Sequence, residues 1–465
     1  KIKGDMPDRT QNTMKFNEAS NSYTFGQNTI TDNHRYYQNL TEDEIAANLA
    51  VNYALGDKEN DNSKGKITLG YNGRFKNRDF EAIQFNFRFY DVLLGTVVNP
   101  NNLDAVLNQE NYSNDLFDIE AFGGLRPQTY TGEQNIHAGF ASLEYKLTEK
   151  LSSIIGMRFE RVEQTVSWRT QLGADSNTFN RNEFLPNLIL KYEVNEKQNI
   201  KFAASKTYTL PQFKERAPFL FEEVGQSYFG NPYLYNSTDY NFDLKWEMFP
   251  KNGEVLSFTG FGKLIQNPIN QVTVASATND ISWVNSGDQA IGLGIEGEWR
   301  KNIFSRENIS TREKTNLGFG LNVSYLFTNQ DLNTEKVINE NPGISVAFTN
   351  DDSRLTGASD LLINSDISFN KEFKNDKSLT ATLAGGYFSD RIYALGVTSK
   401  GDLVDSEVIT LDFILKYKIN KNLGFGLSAK NLTDPTIERR QDIQNVVVDS
   451  YKKGRNFSIS MKYSF

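Results

Sequence analysis

Residues 239–248 read DYNFDLKWEM and alternate without a break. Tyr240, Phe242, Leu244, Trp246 and Met248 fall on one side of an extended chain, with Asp239, Asn241, Asp243, Lys245 and Glu247 on the other. A period of two marks a β-strand whose two faces meet different surroundings. The same division recurs at residues 316–327, where Leu317, Phe319, Leu321, Val323 and Tyr325 oppose Asn316, Gly318, Gly320, Asn322 and Ser324. In residues 291–300, Ile291, Leu293, Ile295 and Trp299 oppose Gly292, Gly294, Glu296, Glu298 and Arg300. At residues 456–465, Phe457, Ile459, Met461, Tyr463 and Phe465 oppose Asn456, Ser458, Ser460, Lys462 and Ser464. Helical periodicity is almost absent; only residues 103–107 predict a short helix.

Alternation suits a soluble sandwich as well as a membrane barrel, and three features choose the barrel. The runs are about ten residues long, which at ~3.3 Å per residue and ~45° tilt spans a ~25 Å apolar band. Soluble strands average only ~5–6 residues. Rings gather near strand ends, at Tyr192, Trp246, Trp299, Tyr325, Tyr417 and Tyr463, where interfacial girdles place them. Connections alternate in length: short turns at residues 146–150, 194–198, 250–254, 374–378 and 418–422 separate much longer ones. The reading is an all-β, transmembrane, antiparallel outer-membrane β-barrel.

Composition agrees. The 465 residues carry 50 Lys+Arg against 58 Asp+Glu, a net charge of −8, with 33 Phe and 21 Tyr. Mean hydropathy is only −0.54, as expected when half of every strand faces a wide, wet or plugged lumen. No stretch approaches the ~18 apolar residues of a membrane-spanning helix, and KIKGDMPDRT at residues 1–10 holds no apolar run of a secretory leader. Zero cysteines exclude disulfides, thiolate metal sites and a Cys nucleophile. With only His34 and His137, His-based catalysis and multi-His metal sites are disfavoured; both histidines read as interfacial or exposed. No basic cluster points to nucleic acid, no carboxylate pair is fixed at catalytic spacing, and no cofactor is called for. Asn350, Asp351, Asp352 and Ser353 form an oxygen-rich run that reads as a solvated loop rather than a Ca²⁺ site. The Gly292–Gly294 pair lies mid-strand and lacks the strand–turn–helix setting of a phosphate loop.

Candidate strands lie near residues 14–26, 44–55, 66–78, 135–147, 151–167, 185–194, 198–208, 238–249, 254–266, 290–301, 314–328, 361–373, 379–391, 407–418, 422–431 and 455–465. That is about sixteen, an even number, as single-chain bacterial barrels require.

From about residue 130 to 465 the chain resembles the C-terminal barrel of TonB-dependent outer-membrane receptors, most like those of Bacteroidetes-type organisms. The matching text is HAGFASLEYKL (137–147), IIGMRFERVE (154–163), FLPNLILKYEVNEKQNIKFAASKTYTLPQF (184–213), FGNPYLYNSTDYNFDLKWEMFP (229–250), GLGIEGEWR (292–300), AKNLTDP (429–435) and the terminal Phe465. The chain departs from the family in having Leu210 where Arg usually precedes Pro-Gln-Phe, and in a long, charged connection at residues 302–314. The resemblance implies a 22-stranded barrel of which residues 1–465 form the C-terminal part, with the N-terminal plug, TonB box and first strands absent. It implies TonB-coupled import of a bulky nutrient (a siderophore, carbohydrate or peptide); a passive porin or structural barrel subunit is the alternative. Implied partners are outer-membrane lipid, the TonB complex through the absent plug, and a surface lipoprotein or other outer-membrane subunits.

Ligand contacts are then expected from long outer loops. Residues 79–132 contain Tyr90, Tyr112, Phe117, Phe122, Arg126 and Tyr130, and residues 209–238 contain Lys214, Arg216, Phe219, Phe221, Tyr228, Phe229, Tyr233 and Tyr235. Rings with a few charges suit sugar faces, aromatic siderophores or peptides, which selects Arg126, Tyr130, Arg216, Phe219, Tyr228 and Tyr233 as candidates. For any single ring, packing of loop on loop is the plainer role. Inward-facing Arg158 and Glu160 are expected to brace the lumen wall or contact a plug.

Overall fold

The computed structural model describes residues 2–5, 9–56, 64–121, 127–170, 173–223, 226–275, 280–308, 310–311, 313–397 and 400–465. One antiparallel sheet follows the chain from end to end. Its first edge is a two-piece ribbon, Ile2–Asp5 and Arg9–Gln11, paired to β1 (His34–Leu55). Each strand then pairs with the next. These are β2 (Gly65–Phe89), β3 (Gln128–Lys146), β4 (Leu151–Thr170), β5 (Gly173–Asn195), β6 (Gln198–Thr209), β7 (Ser237–Met248) and β8 (Val255–Gln266). The series continues through β9 (Gln289–Asn308), β10 (Glu313–Asp331), β11 (Leu361–Glu372), β12 (Ser378–Phe388), β13 (Val408–Lys418), β14 (Leu423–Lys430) and β15 (Asn456–Tyr463). Counting the ribbon as one, the wall holds sixteen positions. Among the described residues, no pairing joins the ribbon to β15.

Register confirms the two faces. The row Leu244, Gly260, Ile295 and Tyr325 runs across four strands on the outward side. Ile295 is 66% exposed and Phe258 57%, so these side chains are not a dry core; they form the belt that hydrocarbon wets. On the inward side, several carboxylates meet cations, because an unpaired charge facing a confined interior is costly. Glu44 accepts from Arg74 Nε at 2.7 Å and lies 3.2 Å from Lys76. Glu42 accepts from Arg78 Nε at 2.7 Å, Glu247 pairs with Lys201 at 2.6 Å, and Glu183 with Lys206 at 3.2 Å. Where two inward side chains would collide, glycine makes room. At Gly294 the ring of Phe261 on the neighbouring strand lies where a Cβ would stand, 2.2 Å away.

Four expectations change. Residues 14–26 are not a wall strand: Met14–Asn17 and Ser22–Phe25 form a hairpin that pairs with Val97–Val98 in a separate three-stranded sheet. Its Phe25 turns into a loop core with Phe87, Phe89 and Phe117 instead of facing lipid. His34 opens β1 and is buried, its Nδ1 2.7 Å from the Thr31 carbonyl; His137 is exposed and bonds Tyr71 OH. The connection at 302–314 is short, because β9 and β10 continue in pairing to Asn308 and Glu313 after a bulge beyond Asn302. Residues 103–107 begin with a 3₁₀ turn, Leu103–Ala105, and helices also form at Asp91–Leu94, Gln109–Ser113, Phe213–Arg216 and Thr334–Glu340.

Strand lengths divide the molecule. β2 has 25 residues, well beyond the ~10 needed to cross the apolar band, so its far end stands clear of the membrane. The short-turn end closes tightly; Asn375 and Asp376 adopt φ of 61° and 58°, a conformation short polar residues tolerate best. At the opposite end the long connections fold on one another. Leu220–Glu223, Gln226–Phe229, Ile281–Asn285 and Ile269–Thr273 make one small sheet, and Arg391–Ala394, Leu403–Asp405, Thr436–Gln441 and Val446–Lys452 another. Val272, Val284, Val337 and Leu395 form a fully buried core between them.

A charge on the two faces should therefore have unequal effects. Ile295→Lys, on the outward face, is expected to destabilise the barrel in lipid vesicles by ~2–4 kcal/mol, while Ser324→Lys, inward, shifts it by less than ~1 kcal/mol. Denaturant titration followed by tryptophan fluorescence measures both, and equal costs would contradict the assigned faces.

Candidate ligand cavity

The extended strands carry inward residues above the polar ladder, and here the face changes character. β1 contributes Gln38 and Leu40, β2 Arg78 and Phe80, and β3 Tyr130. Phe80 stacks on Tyr130 with centroids 4.9 Å apart and meets Phe219 edge-on at 5.0 Å. Phe219 arrives on residues 210–236, which are anchored by Phe213: its ring covers Gly132 so closely that a Cβ there would lie 2.5 Å from ring carbons. Tyr228 stacks on Trp283 at 6.1 Å. Together with Phe221 and Phe229 these rings enclose a cavity of about 290 Å³.

Two cations edge this space. Lys214 Nζ lies 3.7 Å above the Phe221 ring and 5.0 Å from that of Tyr228, within the range in which ring quadrupoles attract an ammonium. Arg78 is held by Glu42 and faces the Phe213 ring at 5.5 Å. Among the described residues no carboxylate lines the cavity. Nor does any cluster of three or more His, Asp or Glu there stand ready to hold a metal. The surroundings suit binding of flat or apolar groups through ring contact.

Of the residues selected from sequence, Tyr130, Phe219 and Tyr228 line this cavity. Tyr233 is 45% exposed and outside it, and Arg126 lies outside the described residues. Arg216 requires a correction. Its side chain is fully buried, and its Nη1 donates to the Gln164 carbonyl at 3.0 Å and Gln164 Oε1 at 2.9 Å. Nη2 donates to Asn177 Oδ1 at 2.5 Å and the Pro232 carbonyl at 3.3 Å, and Phe179 lies 4.8 Å beneath. Burial lowers its pKa to about 10, which still leaves it charged at neutral pH. It fastens the loop to β4 and β5 rather than reaching a ligand. Arg158 and Glu160 pair with each other; Arg158 Nη1 also donates to Asn72 at 2.5 Å, and Glu160 accepts from Tyr208 OH. This links β2, β4 and β6. Phe80, Arg78 and Trp283 were not anticipated. Phe80 carried a signal, since it is a ring on the charged face of a strand reading Arg74, Lys76, Arg78.

The family model for the TonB-dependent receptor-like β-barrel matches residues 3–432. The chain belongs to that family. Its receptors reside in the outer membrane of Gram-negative bacteria, and that is where this barrel is placed. No curated protein matches it in sequence. Similar solved structures include the ferric yersiniabactin uptake receptor of Yersinia pestis, with 13% identity, a TM-score of 0.59, and coverage of 96% of this chain and 57% of that one. The copper transporter OprC has 12% identity, a TM-score of 0.57, and coverage of 95% and 60%. The siderophore receptor PiuA of Acinetobacter baumannii has 12% identity, a TM-score of 0.53, and coverage of 93% and 56%. The chain thus spans a little over half the length of these relatives, and the likeness is one of fold.

Removing the buried guanidinium should loosen the loop. Arg216→Ala is expected to cost ~3 kcal/mol or more, since several buried acceptors lose their donor. Hydrogen exchange across residues 210–236 should rise at least tenfold while β9–β15 keep their protection; unchanged exchange in that loop would contradict the role.

Proposed function

We propose that this chain forms the wall of an energised importer, with the ring-lined cavity beneath the long loops as its capture site for a bulky nutrient. The cavity carries this reading. It sits at the loop end of a barrel whose inner face is largely polar, and it gathers seven rings from two wall strands and two loops. A siderophore, a carbohydrate or a peptide each presents faces that such rings can cover. Residues 1–465 are read as the C-terminal part of a larger barrel, in the Bacteroidetes-like variety of the family. Energy would come from the TonB complex acting through a plug, with a surface lipoprotein or further outer-membrane subunits as partners. Arg158 and Glu160 would brace the wall against that plug.

Growth of a strain dependent on this receptor, supplied in turn with ferric siderophores, oligosaccharides and peptides, identifies the nutrient class. For the nutrient that supports growth, Phe219→Ala and Tyr130→Ala should each weaken uptake about tenfold or more, with Tyr233→Ala within about twofold. Dissipating the proton gradient should stop uptake. Import that continues without the gradient would establish a passive pore instead.

A further inference from the structure

We infer that the outward face of the barrel holds a fixed seat for one acyl chain of a membrane lipid, in a groove floored by Gly260 and Gly262. It is independent of the ring-lined cavity. Residues 258–262 of β8 read FTGFG, which puts both glycines on the lipid-facing side. A glycine inside a strand costs backbone entropy and removes a packing side chain, so its position asks for a cause. A bulge is not the cause, because β8 pairs with β7 and β9 without any shift of register. Crowding is not the cause either. A Cβ on Gly260 would meet no atom within 4 Å, and one on Gly262 only the end of Leu293 at 3.3 Å. What remains is the close approach of something outside the chain.

The other glycine pairs of this spacing in the described wall, Gly292/Gly294, Gly318/Gly320 and Gly424/Gly426, all face the lumen. In each, a side chain of a neighbouring strand takes up one vacancy: Phe261 at Gly294, Asp366 at Gly320 and Ser460 at Gly426. Gly139 is outward and open as well, but it stands singly between Tyr71 and Phe159. The outward pair leaves a groove of about 550 Å³, walled by Phe202, Phe242 and Leu244 on one side and Leu293, Ile295 and Tyr325 on the other. Asp243 also borders it, but with its side chain on the inward face. Toward the short turns the groove ends where the Phe258 ring leans over Gly297 and stacks on Trp246 at 6.1 Å. At this depth only hydrocarbon or another protein can fill it. The walls stand on β7 and β9, about 10 Å apart between backbones, too narrow for a helix ~10–12 Å across. A second barrel would offer a sheet face, whose backbone cannot reach the floor. A slim, flexible acyl chain reaches it and gains the burial.

The test uses native mass spectrometry of the full chain extracted in detergent, which strips loosely held lipid. A phospholipid should stay bound after washes that clear free lipid. The double variant Gly260→Leu, Gly262→Leu fills the groove and should cut retention at least about tenfold, the affinity that about two buried methylenes supply, while Gly139→Leu leaves it within about twofold. Since the chain has no cysteine, Ile295→Cys and Phe159→Cys each give a single attachment site for bimane. A retained phospholipid brominated near its chain ends should quench the label at position 295 and spare it at position 159. Heat-modified gel migration verifies that each variant is folded. The inference fails if no lipid is retained, if both positions are quenched equally, or if the double variant retains lipid as the parent does. A dimer that the double variant abolishes would also overturn it, by marking a second copy of the chain as the occupant.

Discussion

A backbone that crosses hydrocarbon has no water to satisfy its N–H and C=O groups, so every one must find a partner within the protein. This requirement shapes the chain. It accounts for the unbroken neighbour-to-neighbour pairing from the ribbon to β15. It also accounts for the confinement of irregular backbone to the strand ends. Because each strand from β1 to β14 pairs on both sides, the wall is rigid enough to hold side chains at set heights along the lumen. The outward belt of Phe, Ile, Leu and Tyr then matches the lipid, and the inward face is left to charge pairing.

Above the apolar band the same strands serve another purpose. β1, β2 and β3 carry Leu40, Phe80 and Tyr130 beyond the membrane, where they form one side of a cavity completed by loop residues. Loops of this length would not hold rings in place unaided, given the entropy of ordering them. The small sheets supply the missing order, with their shared core of Val272, Val284, Val337 and Leu395. Arg216 adds a further tie between loop and wall. The cavity is therefore built on a scaffold with its own packing, and its geometry does not rest on the wall alone.

The wall was legible in sequence because period-two patterning reports faces directly; Phe242, Ile295 and Phe457 fall outward as their spacing requires. Strand ends were less legible. Once a strand leaves the band its outward side meets water, the pattern weakens, and residues 173–184 of β5 and 79–89 of β2 looked like loop. The hairpin at 14–25 misled for the converse reason, since a strand in a loop sheet also alternates. For the cavity, rings in long loops were visible, but their partners were not. Nothing in the local text around Trp283 shows that it stacks on Tyr228, because that contact depends on two loops meeting. Arg216 was misplaced by the same limit: a charge in a ring-rich loop looks available until Gln164 and Asn177 are brought to it.

The hydroxyl of Tyr228 also meets that of Tyr393 at 2.6 Å, and the Arg439 guanidinium lies 3.2 Å from the centre of the Tyr393 ring. One of the cavity's own rings is thereby tethered to residues that do not line the cavity. A substitution in the small loop sheet at position 393 or 439 can therefore tilt Tyr228, and so reshape the cavity, without exchanging a single residue of its lining.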